Sequence, residues 1–125
     1  MLQQRLQKIM DEYVGGVGTW YMTSKYMLEE GFYYLGLLKE DSYHMCAENL
    51  HELLRAWENF HRILAGEAHA RHIHFREETR YPGYYYRGDH LGIDDENWKC
   101  FVNSTYDKES GEWDIFKREY HQLVP

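Results

Sequence analysis

The longest helical pattern in the chain runs from Asn49 to Phe75, and it constrains the fold more than any other feature. Asn49 is typical of a helix N-cap, and Glu52 three positions later completes a capping-box pattern. A mostly apolar stripe then recurs at steps of three and four residues, formed by Leu50, Leu53, Leu54, Trp57, His61, Leu64 and Ala68. A helix of this length measures roughly 40 Å at 1.5 Å per residue. It cannot bury such a stripe alone, so we expect the flanking segments to pack along it.

Two further helical patterns precede this long one. Periodic apolar residues up to Tyr13 predict a short first helix, which a pair of glycines ends. A second helix is expected to start near residue 23 or 24 and to end near Met45. Gly31 and Gly36 lie inside it, where each costs about 1 kcal/mol relative to alanine. Such glycines either mark a close helix–helix crossing or are simply tolerated. Three helices with short links predict a small bundle.

The pattern changes after residue 80. Pro82 and Gly83 interrupt the helix, and residues 84–86 are tyrosines with strand propensity. Residues 98–106 and 112–120 flank a turn-like DKESG segment, which predicts a β-hairpin. The expected fold is therefore mainly α: one domain over 1–125, with a three-helix bundle over 1–80. An irregular loop rich in Arg and Asp and a C-terminal β-hairpin then form an extension over 81–125.

Composition and charge exclude several classes of function. Lys and Arg number 14 against 21 Asp and Glu, and the net charge of −7 argues against a general nucleic-acid binder. The YPGYYYR segment resembles an aromatic stacking platform for single strands, but tyrosines buried in the protein or in an interface explain it better. No apolar run is long enough to span a membrane, and the first residues lack a signal-peptide pattern. Two cysteines without a CxxC pair favour a reduced, cytoplasmic protein.

Metal binding is the first chemistry that the eight histidines suggest. Glu48 with His51 and Glu58 with His61 are ExxH pairs, the spacing that di-iron bundle proteins use on facing helices. On one helix, an offset of ten residues separates the two pairs by about 15 Å along the axis and rotates them by roughly 80°. They cannot share one metal ion within this helix, so an ordinary surface or core role is favoured.

A second histidine cluster lies at the end of the long helix. His69 and His72 are three residues apart and could chelate a divalent ion, with His74 nearby. No cysteine or carboxylate at a suitable spacing completes such a site. Nucleophilic catalysis finds no support either, because there is no GxSxG motif and neither cysteine has an activating context.

The arginines that follow the long helix form the most informative cluster. Arg76 and Arg80 are one helical turn apart, and the acidic residues close enough to neutralise them are Glu77, Glu78, Asp89, Asp94 and Asp95. Arginine suits such networks because its planar guanidinium pairs with carboxylates in a bidentate way. Two interpretations stay open: a charge-paired clamp that holds the loop on the bundle, or a site for an anion or substrate. The clamp is favoured because every arginine has an acidic partner available, and the Trp98 ring is expected to seal the loop.

The same residues resemble a known family. REETR at 76–80, RGD at 87–89 and DDENW at 94–98 are similar to the RxESR…RxD…DDxxW pattern in the C-terminal helical region of the fumarate reductase and succinate dehydrogenase flavoprotein superfamily. The FREETRYPGYYYR spacer, the tail NWKCFVNSTYDKESGEW and several upstream segments look closer to the adenylylsulfate (APS) reductase alpha-subunit family. Departures from the wider pattern are Thr79 in place of serine, two extra residues after Arg80, a missing histidine, and Leu91 and Ile93 in place of Pro and Arg. They favour the APS reductase branch.

The resemblance implies a supporting part of an oxidoreductase of sulfur metabolism. In such flavoproteins FAD is held by a preceding Rossmann-type domain, and this chain has neither the dinucleotide fingerprint nor a βαβ pattern. FAD and iron–sulfur clusters are therefore expected on a missing domain or on partner chains, with no catalytic, cofactor-binding or metal-binding residue in this chain. The residues expected to serve as a structural clamp or docking site are Arg76, Glu78, Arg80, Arg87, Asp89, Asp94, Asp95 and Trp98.

Three hypotheses about function follow, in decreasing order of support. The first is a non-catalytic module that docks against an FAD-binding domain or subunit and an iron–sulfur subunit. The second is an independent scaffold or binding subunit that keeps the fold but has another partner, and the third is a small metal-dependent enzyme that uses the histidine-rich helix. Apolar helix faces without their usual cover predict that the isolated chain self-associates.

Overall fold

The computed structural model of the chain describes residues 1–124, and it has the mainly α fold that the sequence predicts. The three long helices are α1 (Leu2–Tyr13), α2 (Lys25–Ser42) and α3 (Leu50–Phe75). Helix α2 packs against both α1 and α3. Among the described residues, no helix has the length and apolar character needed to cross a membrane.

Each long helix begins or ends at a signal that the sequence carries. Asn49 Oδ1 accepts a hydrogen bond from the Glu52 N–H at 2.9 Å, and the Glu52 carboxylate accepts one from the Glu48 N–H. In the usual capping box, the Glu side chain accepts a hydrogen bond from the N–H of the N-cap residue itself. Here it accepts from the residue before the N-cap, so the box is displaced by one residue. Ser24 caps α2 in the same way, and Gly15 follows α1 with a φ of +81°. Helix α2 ends at Ser42, three residues before the predicted end.

Short elements connect the helices to a C-terminal hairpin. Strand β1 (Met22–Thr23) pairs in parallel with β2 (Tyr86–Arg87), so only the last of the three tyrosines at 84–86 is in a strand. A single helical turn, α4 (Asp95–Trp98), follows the loop and was not predicted. The predicted hairpin is confirmed: β3 (Cys100–Tyr106) pairs antiparallel with β4 (Trp113–Glu119), and Asn103 is opposite Phe116 at its centre.

The core lies where the three helices meet. Its buried side chains are Leu6, Val14, Leu28, Leu35, Leu38, Ile63, Ala70 and Ile73. Gly31 marks a true helix crossing, because a Cβ there would lie 3.0 Å from the Tyr13 Cβ. A Cβ at Gly36 would have no neighbouring atom within 4 Å, so this glycine is simply tolerated. Both interpretations of the α2 glycines therefore apply, each to one residue.

The predicted stripe of α3 is not the buried one. The α3 residues that are buried are Ile63, Gly66, Glu67, Ala70 and Ile73. The first members of the predicted stripe are exposed instead, with 84% of Leu50 and 59% of Trp57 open to solvent. The predicted stripe has a helical spacing, but it marks a different face of α3 from the buried one. Along its first half, Tyr43 and Met45 border Leu53 and Trp57 without burying them. A helical period alone does not say whether a partner covers the face.

Candidate functional site

Arg87 closes the C-terminal end of α3. Its guanidinium is 1% exposed, and Nη1 donates to the carbonyl oxygens of Ile73, His74 and Arg76 at 2.7, 3.0 and 3.0 Å. The last carbonyls of a helix have no partner within the helix, so a buried helix end needs donors from elsewhere. Nε and Nη2 of Arg87 make a bidentate pair with Asp89 at 3.0 and 2.8 Å. One side chain therefore satisfies the helix end and keeps its own charge paired.

The β1–β2 pair and Thr79 set the position of Arg87. The Gly88 N–H donates to the Thr23 carbonyl at 2.6 Å, which holds the loop against the start of α2. The Arg87 N–H donates to Thr79 Oγ1 at 3.0 Å, and that hydroxyl donates to the His90 carbonyl at 2.7 Å. Thr79 is 3% exposed, so this small hydroxyl organises the loop from inside.

Asp89 extends the same network to α2. Hydrogen bonds from Arg87 outweigh the opposing effect of burial and lower the pKa of Asp89 from 3.8 to about 2. The Lys25 N–H at the first turn of α2 also donates to Asp89 Oδ2, at 3.3 Å. A carboxylate at a helix N-terminus is favourable because the unpaired N–H groups carry partial positive charge. Asp89 therefore links the C-terminal end of α3, through Arg87, to the start of α2.

Glu78 is the centre of a second group of contacts. Its side chain is fully buried and accepts from Arg76 Nη1 at 2.6 Å, from Arg80 Nε at 2.7 Å and from the Asp94 N–H at 3.0 Å. Burial alone would raise the pKa of this carboxyl, but the hydrogen bonds from Arg80, Asp94 and Arg76 lower it below its usual value. A buried carboxylate with these donors is ionised and paired.

The two arginines around Glu78 also reach the hairpin and α4. Arg76 donates to the carbonyl oxygens of Trp98 and Cys100, each at 2.8 Å. Arg80 Nη2 lies 2.8 Å from Asp95 Oδ1 on α4. The hydrogen bonds that Arg80 donates to Glu78 and Asp95 raise its pKa, against the opposing effect of burial. These guanidinium groups border a cleft of about 490 Å³ between α3 and the hairpin. Most of their donors are used within the chain, but Arg76 Nε and Arg80 Nη1 make no hydrogen bond among the described residues.

Trp98 packs the end of α4 onto α3. The indole is 7% exposed, and its ring meets the edge of Phe75 with centroids 5.6 Å apart. Lys117 of β4 lies over the other side of the ring, with Nζ 3.7 Å from the ring centre. The same Nζ donates to the Asn97 carbonyl at 2.9 Å. This indole is held between an aromatic ring and a cation, and it joins the long helix to the hairpin.

The structure brings the eight predicted residues together in two neighbouring groups, with one change of role. Asp94 was expected to pair with an arginine, but its carboxylate instead caps α4 by accepting from the Asn97 N–H at 3.1 Å. The arginine partner is Asp95. Sequence reasoning missed Thr79 and Lys117, since neither carries a spacing signal. The Thr-for-Ser difference at 79 in the REETR motif was the one available hint.

The histidines of α3 make contacts of their own. His72 shares a 2.8 Å hydrogen bond with Ser104 of β3, and burial lowers the pKa of both His69 and His72. Among residues 1–124, no three His, Cys, Asp or Glu side chains are arranged to hold a metal ion. In the ExxH pairs, His51 contacts Arg55 and Glu58 contacts Arg62, so each is used locally.

The fold and the cluster together define a class of protein: a mainly α module in which arginines and carboxylates of the same chain pair with each other. No family model matches the chain. The chain is 57% identical over 121 residues, 97% of its length, to the adenylylsulfate reductase subunit alpha of Megalodesulfovibrio gigas. It is also similar to the structure of adenylylsulfate reductase from Archaeoglobus fulgidus, with a TM-score of 0.96 and 52% identity over 99% of this chain. A structure of adenosine-5-phosphosulfate reductase in complex with sulfite gives the same values.

The resemblance to the APS reductase alpha-subunit family is thus confirmed, and it concerns one part of that subunit. The chain matches the C-terminal part of the Megalodesulfovibrio gigas protein. It spans 18% of that relative and 19% of each matched structure. Under a fifth of the longer protein is therefore represented by this fold.

Proposed function

We propose that this chain is the non-catalytic helical module of an APS-reductase-like flavoprotein oxidoreductase. The observation that carries the proposal is the 57% identity along nearly the whole chain to the C-terminal part of the alpha subunit. At that identity the packing of a module is retained together with its fold, as the TM-score of 0.96 supports. The chemistry on sulfur then takes place on other polypeptide, and this module supports it.

In this proposal the arginine–carboxylate cluster acts as a structural clamp. Arg87 with Asp89, and Glu78 with Arg76 and Arg80, tie the loop to three helices and the hairpin. Breaking one partner of a buried pair leaves an uncompensated charge, so such a cluster holds one arrangement firmly. The pairing of each guanidinium with a carboxylate supports a clamp over the anion or substrate site, because a bound anion would compete with carboxylates that already neutralise these charges.

FAD and iron–sulfur clusters belong to other parts of the assembly in this proposal. The described residues contain no Gly-rich strand-to-helix turn of the kind that binds a dinucleotide. The partners are an FAD-binding domain or subunit and an iron–sulfur subunit. The 125 residues contribute a rigid surface to both, and no residue of the module touches the substrate.

The visible absorption spectrum and subunit composition of the native assembly test this proposal. A tagged chain is isolated from its source cells under mild conditions, and the assembly is analysed for flavin, iron and polypeptides. We expect flavin and iron–sulfur absorbance together with a polypeptide similar to the longer relatives. An unrelated partner without flavin would support an independent scaffold subunit instead. Stoichiometric metal lost in a His69→Ala, His72→Ala variant would support the small metal-dependent enzyme. Flavin held by the purified chain alone would contradict the non-catalytic role.

A further inference from the structure

The amino-terminal half of α3 contributes nothing fully buried to the core. Its first buried residue is Ile63, thirteen positions into the helix. Before it, Leu50, Leu53, Leu54 and Trp57 follow one another at helical spacing and are 84, 45, 59 and 59% exposed. Exposed apolar side chains scattered singly are ordinary, but a continuous stripe of them marks an interaction surface. We call these four residues the α3 apolar face.

The α3 apolar face borders a groove with apolar walls. Tyr43 and Met45, which follow α2, form one wall, and Leu53, Trp57 and Phe60 of α3 form the other. The groove has a volume of about 260 Å³, enough for one or two apolar side chains. The Tyr43 and Phe60 rings of the two walls lie 5.8 Å apart and contact each other.

A second groove lies on the other side of Met45, between α1 and α3. It has a volume of about 330 Å³ and is lined by Met1, Leu2 and Asn59 among others. Within the described part of the chain, the buried Asn59 Oδ1 accepts no hydrogen bond. A buried acceptor without a donor costs about 1–3 kcal/mol, so such atoms are usually satisfied by something. The Asn59 Oδ1 atom is therefore an unsatisfied acceptor beneath the lining of this groove.

The relatives indicate what covers this surface. This chain matches the C-terminal part of the Megalodesulfovibrio gigas subunit and spans 18% of it, so most of the longer protein precedes the matched segment. The matched segment begins at α1, and Met1 and Leu2 line the second groove, which runs along the same amino-terminal half of α3 as the α3 apolar face but on another side of the helix. In a longer protein with this fold, the preceding polypeptide therefore meets the module at this end.

We propose that the α3 apolar face and the two grooves form the docking surface for the polypeptide that precedes this module in the longer relatives. The inference rests on the proposed function and names the surface that the module uses. Leu54 and Trp57 pack into that polypeptide. The uncovered first half of α3 is thus an interface, and the buried second half belongs to the core of the module.

Photo-cross-linking from position 57 in the native assembly tests this inference. Trp57 is replaced by p-benzoylphenylalanine, the assembly is irradiated, and the adduct is identified by peptide mass spectrometry. We expect an adduct with polypeptide similar to the preceding part of the longer relatives, and none without irradiation. An adduct with a second copy of this segment or with an unrelated protein, or no adduct at all, overturns the inference. If the inference is overturned in this way but the assembly contains flavin, the proposed function still stands. If the assembly contains no flavin-bearing polypeptide, the inference and the proposed function both fail.

A matched pair of variants separates docking from folding. Leu54→Asp changes a leucine of the face that is 59% exposed, and Leu91→Asp changes a loop leucine that is 61% exposed. Because both are open to solvent in this chain, we expect both isolated variants to unfold at the urea concentration of the wild type. Recovery of the flavin-bearing polypeptide should fall about tenfold or more with Leu54→Asp, since a buried leucine is lost, and should be retained with Leu91→Asp. Equal recovery with both variants would contradict the inference.

Discussion

Glu78 shows how a charge is tolerated in the interior of this small protein. A carboxylate removed from water loses its hydration, and the loss is offset only if charged partners and hydrogen bonds replace the water. Here Arg76, Arg80 and the Asp94 N–H supply those bonds to a fully buried side chain. Removing either arginine would take away a charged partner that offsets the lost hydration of Glu78, so the three side chains act as one unit.

Replacing this carboxylate is expected to destabilise the protein strongly. Glu78→Gln keeps the size of the side chain but leaves Arg76 without a charged partner, and breaking such a buried pair costs about 3–5 kcal/mol. The free energy of unfolding in urea measures the effect. The neighbouring Glu77 is exposed, and Glu77→Gln serves as the control with little change. Equal unfolding midpoints for the two variants would mean that the cluster contributes no net stability.

Asp89 is expected to make the protein sensitive to acid. Its pKa is about 2 in the folded protein and near 3.8 when unpaired, so the unfolded chain binds more protons between these values. The stabilisation is complete above the unfolded pKa and is lost as the pH falls toward the folded one. Urea midpoints measured at decreasing pH should fall less steeply for Asp89→Asn than for the wild type in this range. An equally steep fall of the urea midpoint with decreasing pH in both proteins would contradict this assignment.

At the scale of elements, Trp98 is what joins the hairpin to the bundle. Strands β3 and β4 pair with each other and with no other strand among the described residues. A lone two-stranded hairpin is marginally stable in water, so it depends on packing against the helices. Trp98 lies at that junction, between Phe75 of α3 and Lys117 of β4.

Trp98→Ala should therefore cost about 3–5 kcal/mol, the range found when large buried aromatic side chains are truncated. Urea unfolding followed by intrinsic fluorescence measures it, and Trp20→Ala is the matched control because Trp20 is 85% exposed. We expect the control to unfold near the wild-type midpoint. If Trp98→Ala unfolds at the same urea midpoint as the wild type, the indole does not hold the loop on the bundle.

For the molecule as a whole, the notable exposed surface is the α3 apolar face, whose four large apolar side chains are 45–84% exposed. We therefore expect the isolated chain to self-associate reversibly as its concentration rises, since the α3 apolar face has no cover. Light scattering over a concentration series measures the mean mass. Leu54→Asp should shift the association to higher concentration, and Leu91→Asp should not. A clean monomer at every concentration would remove the case for an uncovered interface.

Local signals were enough to predict much of the fold. Asn49 and Glu52 define the start of α3, and the turn at residues 107–111 sets the hairpin register, because a cap or a turn depends on residues a few positions apart. The cluster was predictable as a set of arginines with nearby acids. Which acid each arginine contacts was not, since Glu78 and Asp94 are sixteen residues apart and meet only through the loop.

The helices, the hairpin, the acidic balance and the family resemblance could all be predicted before folding was considered, because each depends on local spacing or on motifs. The contact partners depend on the three-dimensional arrangement. It paired Met22 with Tyr86, made Glu78 the shared acceptor and left the first half of α3 uncovered. A period of 3.6 residues shows which side chains share a helix face, but burial requires a second surface against that face. For Leu50, Leu53, Leu54 and Trp57, the described residues leave all four side chains exposed.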